Sequence, residues 1–172
     1  MIHIKIKSDD LIHAISNIAY VTADIHEGAS TPHALHQVYD VCQEGNIERV
    51  ADILTLAFSN VEAILTPVIE KEKKCINRKS GTIHKTFTLT FGEKACIRAP
   101  KLYHSPPALR RLSDLIKEYM TAMVLADWFS ITLPRVAETW KVKTERCLDI
   151  LQGILVSSYG GAVAFRRPLS PF

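Results

Sequence analysis

Long hydrophobic runs are missing from this sequence. The best stretch, Met120 to Phe129, is broken by Asp127, and nothing approaches the roughly 18 uninterrupted apolar residues of a membrane-spanning helix. No membrane contact is therefore expected. The N-terminal MIHIKIKSDD alternates instead of building a long apolar stretch, so no signal peptide is expected either. Charge of one sign is also scarce. A formal net charge of +3 falls short of the concentrated basic face of a dedicated nucleic-acid binder. The four cysteines (Cys42, Cys75, Cys96 and Cys147) form no CxxC pair, which argues against a zinc ribbon or finger. Free buried thiols are the expectation, with Cys75 and Cys96 placed to face each other across a predicted hairpin. Glycine is sparse, and Gly160-Gly161 is the single adjacent pair. With no strand before it and no helix after it, that pair is not a phosphate loop.

What is present is helical periodicity. The chain has 172 residues, 47% of them hydrophobic, enough for one domain with a real core. Its C-terminal third holds two long amphipathic segments. In the first, Leu109, Leu112, Ile116, Tyr119, Met123 and Trp128 recur at spacings of three to five; in the second, Val136, Trp140, Cys147, Ile150, Leu151 and Ile154 share a face through spacings of three, four and seven. Such spacing places side chains on one face of a helix. Thr132-Leu133-Pro134 ends one helix and starts the next, because proline is tolerated in a first turn but not in an interior. The prediction is an antiparallel helical hairpin that carries both tryptophans, Trp128 and Trp140, as an aromatic clasp.

Ahead of that hairpin, Ile2, Ile4 and Ile6 alternate with His3, Lys5 and Lys7, the pattern of a strand with one apolar face. Ser8-Asp9-Asp10 suits a helix start, since a hydroxyl can satisfy an orphan amide and acids favour the positive end of the dipole. That helix runs through Leu11, Ile15, Ile18, Ala19 and Thr22 and ends before Gly28. Residues 26–45 read as a loop with about two turns of helix. Asn46 caps a further helix with the stripe Ile47, Val50, Leu54, Phe58, Val61, Leu65 and Val68, which Pro67 kinks or ends. Thr82 to Phe91 alternates and is rich in β-branched and aromatic residues. It is predicted to turn at Gly92-Glu93-Lys94 into a second strand, Ala95 to Ala99, with 74–79 able to pair on the other side. The whole hairpin spans about 74–99, and the tail 159–172 is expected to be extended.

The chemistry-bearing residues are thin. His33, His36 and Cys42 match no zinc spacing; Asp9 and Asp10 are explained by capping; Cys147 occupies a core position. No catalytic, metal or cofactor site is assigned. Basic residues cluster modestly at Lys71, Lys73, Lys74, Arg78 and Lys79, at Arg110 and Arg111, and at Arg166 and Arg167.

The segment Y-M-x-x-x-V-L-A-D-W-F-x-I-T-L-P at Tyr119 to Pro134, with the ending Arg166-Arg167-Pro168-Leu169-Ser170-Pro171-Phe172, resembles small virion-assembly proteins of Bacteroides-group tailed phages and prophages. More loosely it resembles helical head–tail connector (neck adaptor) proteins. The resemblance implies a structural, non-enzymatic subunit of an oligomeric ring around the DNA channel. Such a subunit is made in the host cytoplasm and located in the virion neck, with the portal and other neck or tail proteins as partners and DNA near at hand without sequence readout. The fold expected is a single, mainly α domain over 1–172: about four helices with an inserted β-hairpin and an extended C-terminal arm. The residues expected to meet a neighbour or partner are Thr82, Lys85, Phe87, Leu89 and Phe91 of the hairpin and Phe165, Arg166, Arg167 and Phe172 of the arm. A tail-completion or tail-associated protein, and a bacterial cytosolic interaction module, stand as alternatives.

Overall fold

The computed structural model describes residues 1–26, 39–70 and 85–158. The alternating N-terminal segment is strand β1 (Ile2–Lys7), and it pairs antiparallel with β2 (Thr86–Phe91) in a register running from Ile2↔Phe91 to Lys7↔Thr86. Period two sorts the side chains. Ile4, Ile6, Phe87, Leu89 and Phe91 are buried in the core, whereas His3, Lys5, Lys7 and Thr86 face outward and are exposed. His3 Nδ1 lies 3.1 Å from Thr90 Oγ1 across the pair.

The protein is mainly helical with this small two-stranded sheet, as the periodicities imply, but the partner of β2 differs from the expectation. Ala95–Ala99 is not a strand; Glu93–Arg98 is a short helix. Two features explain the change. The distant β1 already occupies one edge of β2. At Gly92 the Glu70 carboxylate folds in, and its Oε1 accepts the Glu93 amide at 2.9 Å, favouring a helix start over a hairpin turn. A methyl group at Gly92 would meet that carboxylate at 2.0–2.6 Å. We therefore expect Gly92→Ala to displace Glu70 and cost about 1 kcal/mol, as loss of a cap does. Thermal denaturation would read this as a fall in Tm of about 2–4 °C.

Six α-helices lie among the described residues: α1 (Ser8–His26), α2 (Ile47–Leu65), α3 (Glu93–Arg98), α4 (Pro100–Tyr103), α5 (Pro106–Thr132) and α6 (Pro134–Ser158). In α1, Leu11, Ile15, Ala19 and Ala23 recur every four residues and are buried, while Asp9 and Asp10 sit in its first turn. The Ser8 hydroxyl accepts the Lys85 amide, and the Ser8 amide donates to the Lys85 carbonyl, both at 2.9 Å. The start of α1 is thereby tied to the start of β2. A 3-10 turn at Asp40–Cys42 precedes α2. Asn46 stands at the N-cap position of α2 without capping through its side chain, which donates instead to the Asp40 carbonyl at 2.9 Å. The helix stops before Pro67. Ile69 then bridges to Phe91, and the Glu70 amide donates to the Thr90 carbonyl at 2.9 Å.

Helices α5 and α6 are antiparallel across Leu133. Phe129 meets Trp140 near the link (ring centroids 6.3 Å apart), and Glu118 pairs with Lys143 farther along at 3.0 Å. Lys143 also lies 5.0 Å over the Trp140 ring. The single stripe predicted for α5 understates its burial. Residues on most of its circumference are enclosed, among them Leu112, Ile116, Tyr119, Met120, Val124 and Leu125, because α1, α2, α4, α6 and β1 all pack on it. Asp127, the charge that interrupts the apolar run, points at α2 and takes Arg49 at 2.8 Å on a half-exposed flank.

Candidate functional site

An antiparallel ladder directs main-chain groups alternately toward and away from its partner strand. The Ser8–Lys85 hydrogen bond fixes the parity. Phe87, Leu89 and Phe91 present their amides and carbonyls to β1, while Thr86, Thr88 and Thr90 present theirs outward. The outward Thr90 carbonyl is taken by Glu70. No hydrogen-bond partner for the main chain of Thr86 or Thr88 is found on that edge among the described residues. β1 likewise presents the main chain of His3, Lys5 and Lys7 on its outer side, but lysines on an edge strand discourage pairing. Among the described residues the receptive edge is that of β2.

Beside it lies a groove of about 610 Å³ between β2 and the outer flank of α2. Phe58, Phe87, Leu89 and Ile69 supply apolar surface, with Phe58 and Phe87 in ring contact at 4.8 Å. Thr55, Ser59 and Thr66 line the helical wall, and each hydroxyl donates to the carbonyl four residues back at 2.7–2.9 Å. Their hydrogen-bonding needs are met within the helix, so the wall is less polar than its sequence suggests. Glu62 and Glu70 add negative charge; Lys85 stands at one end. From Thr55 to Thr66 the helix is about 16 Å long at 1.5 Å per residue. From Lys85 to Thr90 the strand covers about 17 Å. The two walls match, and their length suits one extended segment of about five or six residues.

Of the residues expected to make contacts, Lys85 is exposed at the groove. Phe87 and Leu89 are buried and form its floor, and Phe91 is wholly enclosed in the core. The side chains of Phe87, Leu89 and Phe91 therefore serve the core first, and what β2 offers a partner is chiefly its main chain. Thr82, Phe165, Arg166, Arg167 and Phe172 lie outside the described residues, as do His33, His36 and Cys75. The suggested Cys75–Cys96 pairing falls there too; Cys96 sits on α3 with Sγ 3.6 Å from His104 Nε2. Glu62 and Ile69 carry no signal in the sequence reading, and Phe58 enters it only as part of the core stripe of α2. Thr55, Ser59, Glu62 and Thr66 do recur at helical spacing, but nothing local says that a strand lies alongside them.

The buried Cys147 and the half-buried Cys42 have altered acidity. Burial pushes the Cys147 thiol up from its ordinary value, and the Glu118 carboxylate adds to the rise while Lys143 and Arg146 oppose it. Burial raises Cys42 as well, against a smaller lowering from Ser16. A raised thiol pKa means less thiolate, so Cys147 should react far more slowly with a disulfide reagent at pH 8 than it does after unfolding. Because the folded state holds this proton more tightly, the stability it contributes is lost as pH rises above about 9. Reagent kinetics with and without denaturant check the first expectation, and melting curves at pH 8 and 10 the second.

Among the described residues no group of three or more His, Cys, Asp or Glu is arranged to hold a metal, and no helix is long and apolar enough to cross a membrane. Comparison with protein-family models, with curated proteins and with solved structures gives no match.

Proposed function

We propose that this chain is a structural, non-enzymatic subunit of a tailed-phage virion, a head–tail connector that forms a ring in the neck and contacts the portal. The observation that carries the reading is the outward main chain of Thr86 and Thr88 on β2, without a partner among the described residues, beside a strand-length groove with an apolar floor. An edge of this kind binds by strand addition: main-chain hydrogen bonds provide affinity, and the floor selects alternate side chains. Head-to-tail contacts of that type close into rings when the rotation between copies permits. The resemblance of Tyr119–Pro134 and Arg166–Phe172 to virion-assembly proteins supplies the phage context, and the rigid α5–α6 hairpin is the frame such a subunit needs. DNA passing through the ring would meet Lys and Arg side chains at its phosphates, without sequence readout.

The test is mass in solution by light scattering, for the protein alone and mixed with portal particles. A ring, or a monomer recruited in many copies by the portal, is the expected result. A stable monomer or dimer that ignores the portal overturns the connector reading and favours a bacterial interaction module using the same edge.

A further inference from the structure

We infer that the pocket bounded by α1, α5 and α6 binds a free hydroxyphenyl amino acid, held by Thr121 at the ring end and by Asp10 and Lys117 at the zwitterionic end. The inference makes no use of the β2 edge and stands or falls apart from the subunit reading. The pocket has a volume of about 250 Å³. Drug-sized ligands occupy about 300–1,000 Å³, whereas a dry cavity of about 150 Å³ takes up benzene. One six-membered ring with short substituents is therefore the fitting guest. Leu11, Ala14 and Ile18 line the α1 side at helical spacing, and Trp140 supplies an aromatic wall from α6. Lys143 lies 5.0 Å over the Trp140 ring and is itself pinned by Glu118 at 3.0 Å, which holds that wall in place.

Three polar groups on this pocket are left over by the fold. Thr121 is only 7% exposed. Thr132 and Thr144, also helical, donate their hydroxyls to the carbonyl four residues back, but no partner for the Thr121 hydroxyl is found among the described residues. No wholly enclosed side-chain oxygen or nitrogen lacks a partner among those residues, so this hydroxyl opens into the pocket that Thr121 lines. Asp10 is exposed and Lys117 half-buried on the same pocket, and neither has an ion-pair partner among the described residues. A purely apolar guest would leave Thr121 desolvated and unpaired, which is costly. A singly charged guest would answer Asp10 or Lys117 but not both. A tyrosine zwitterion answers all three groups: phenol to Thr121, ring beside Trp140, carboxylate to Lys117 and ammonium to Asp10.

The experiment is equilibrium dialysis of the full chain against four labelled probes: L-tyrosine, L-phenylalanine, tyramine and hydroxyphenylpropanoate. L-tyrosine should bind tightest. Thr121→Val should weaken L-tyrosine about five- to tenfold and leave L-phenylalanine, which lacks the hydroxyl, unchanged. Lys117→Ala should weaken L-tyrosine but not tyramine, which lacks the carboxylate. Asp10→Ala should weaken L-tyrosine but not hydroxyphenylpropanoate, which lacks the ammonium. Ala14→Leu fills the pocket from a half-buried helical position, so it should melt like the wild type and bind none of the four. Absence of saturable L-tyrosine binding overturns the inference. So does binding that survives Ala14→Leu, a Thr121→Val loss equal for L-tyrosine and L-phenylalanine, or either singly charged probe binding as tightly as L-tyrosine.

Discussion

Thr88→Pro is expected to leave the subunit folded and to reduce its assembly, alone or on the portal, by at least tenfold. The parity of the β1–β2 ladder directs the Thr88 amide away from β1. Proline there removes a donor that has no partner among the described residues and that an added strand requires, and its ring occupies the space beside the edge. Proline is tolerated on an edge strand for this reason and is costly inside a sheet. Thr88→Val is the companion variant. It keeps the amide and the β-branched shape and loses only the hydroxyl, so it should assemble like the wild type. Circular dichroism and a melting curve establish that each variant is folded before light scattering is compared. If Thr88→Pro folds and assembles normally, strand addition at this edge is wrong. If Thr88→Val fails as well, the side chain matters and the main-chain account fails.

The largest stability effect should come from Phe91→Ala. Phe91 is fully buried, pairs with Ile2, and is bridged on its other side by Ile69. It is the point where the N-terminus, the end of α2 and the start of α3 meet. Truncating a buried phenylalanine removes its transfer free energy and leaves a cavity, together costing about 3–5 kcal/mol. Against a typical total of about 5–15 kcal/mol, that is a large fraction, and chemical denaturation should show a much lower midpoint. Phe87→Ala is the useful contrast. Phe87 is 8% exposed and lines the groove, so its cavity opens toward solvent and should cost less. Equal losses at the two positions would mean that the groove is part of the closed core.

The sequence by itself determined the helices and the faces they bury. Leu11, Ile15 and Ala19 in α1, Val50, Leu54 and Phe58 in α2, and the stripes of α5 and α6 occupy the predicted sides, because period 3.6 is a local property that burial of one face enforces. The break at Leu133-Pro134 was legible for the same local reason, and so was the apolar face of Ile2, Ile4 and Ile6. Only the tertiary structure decided which strands pair. Period two marks a strand without naming its partner. The sequence-adjacent segment 95–99 yielded to a strand some eighty residues away once Glu70 reached the Glu93 amide and started a helix there. The same limit hid the groove. Thr55, Ser59 and Glu62 read as an ordinary polar flank, and they become a wall only because the Ile69–Phe91 bridge holds the edge of β2 beside them. Side-chain patterns report burial face by face, whereas an open edge belongs to the main chain and exists only in the assembled sheet.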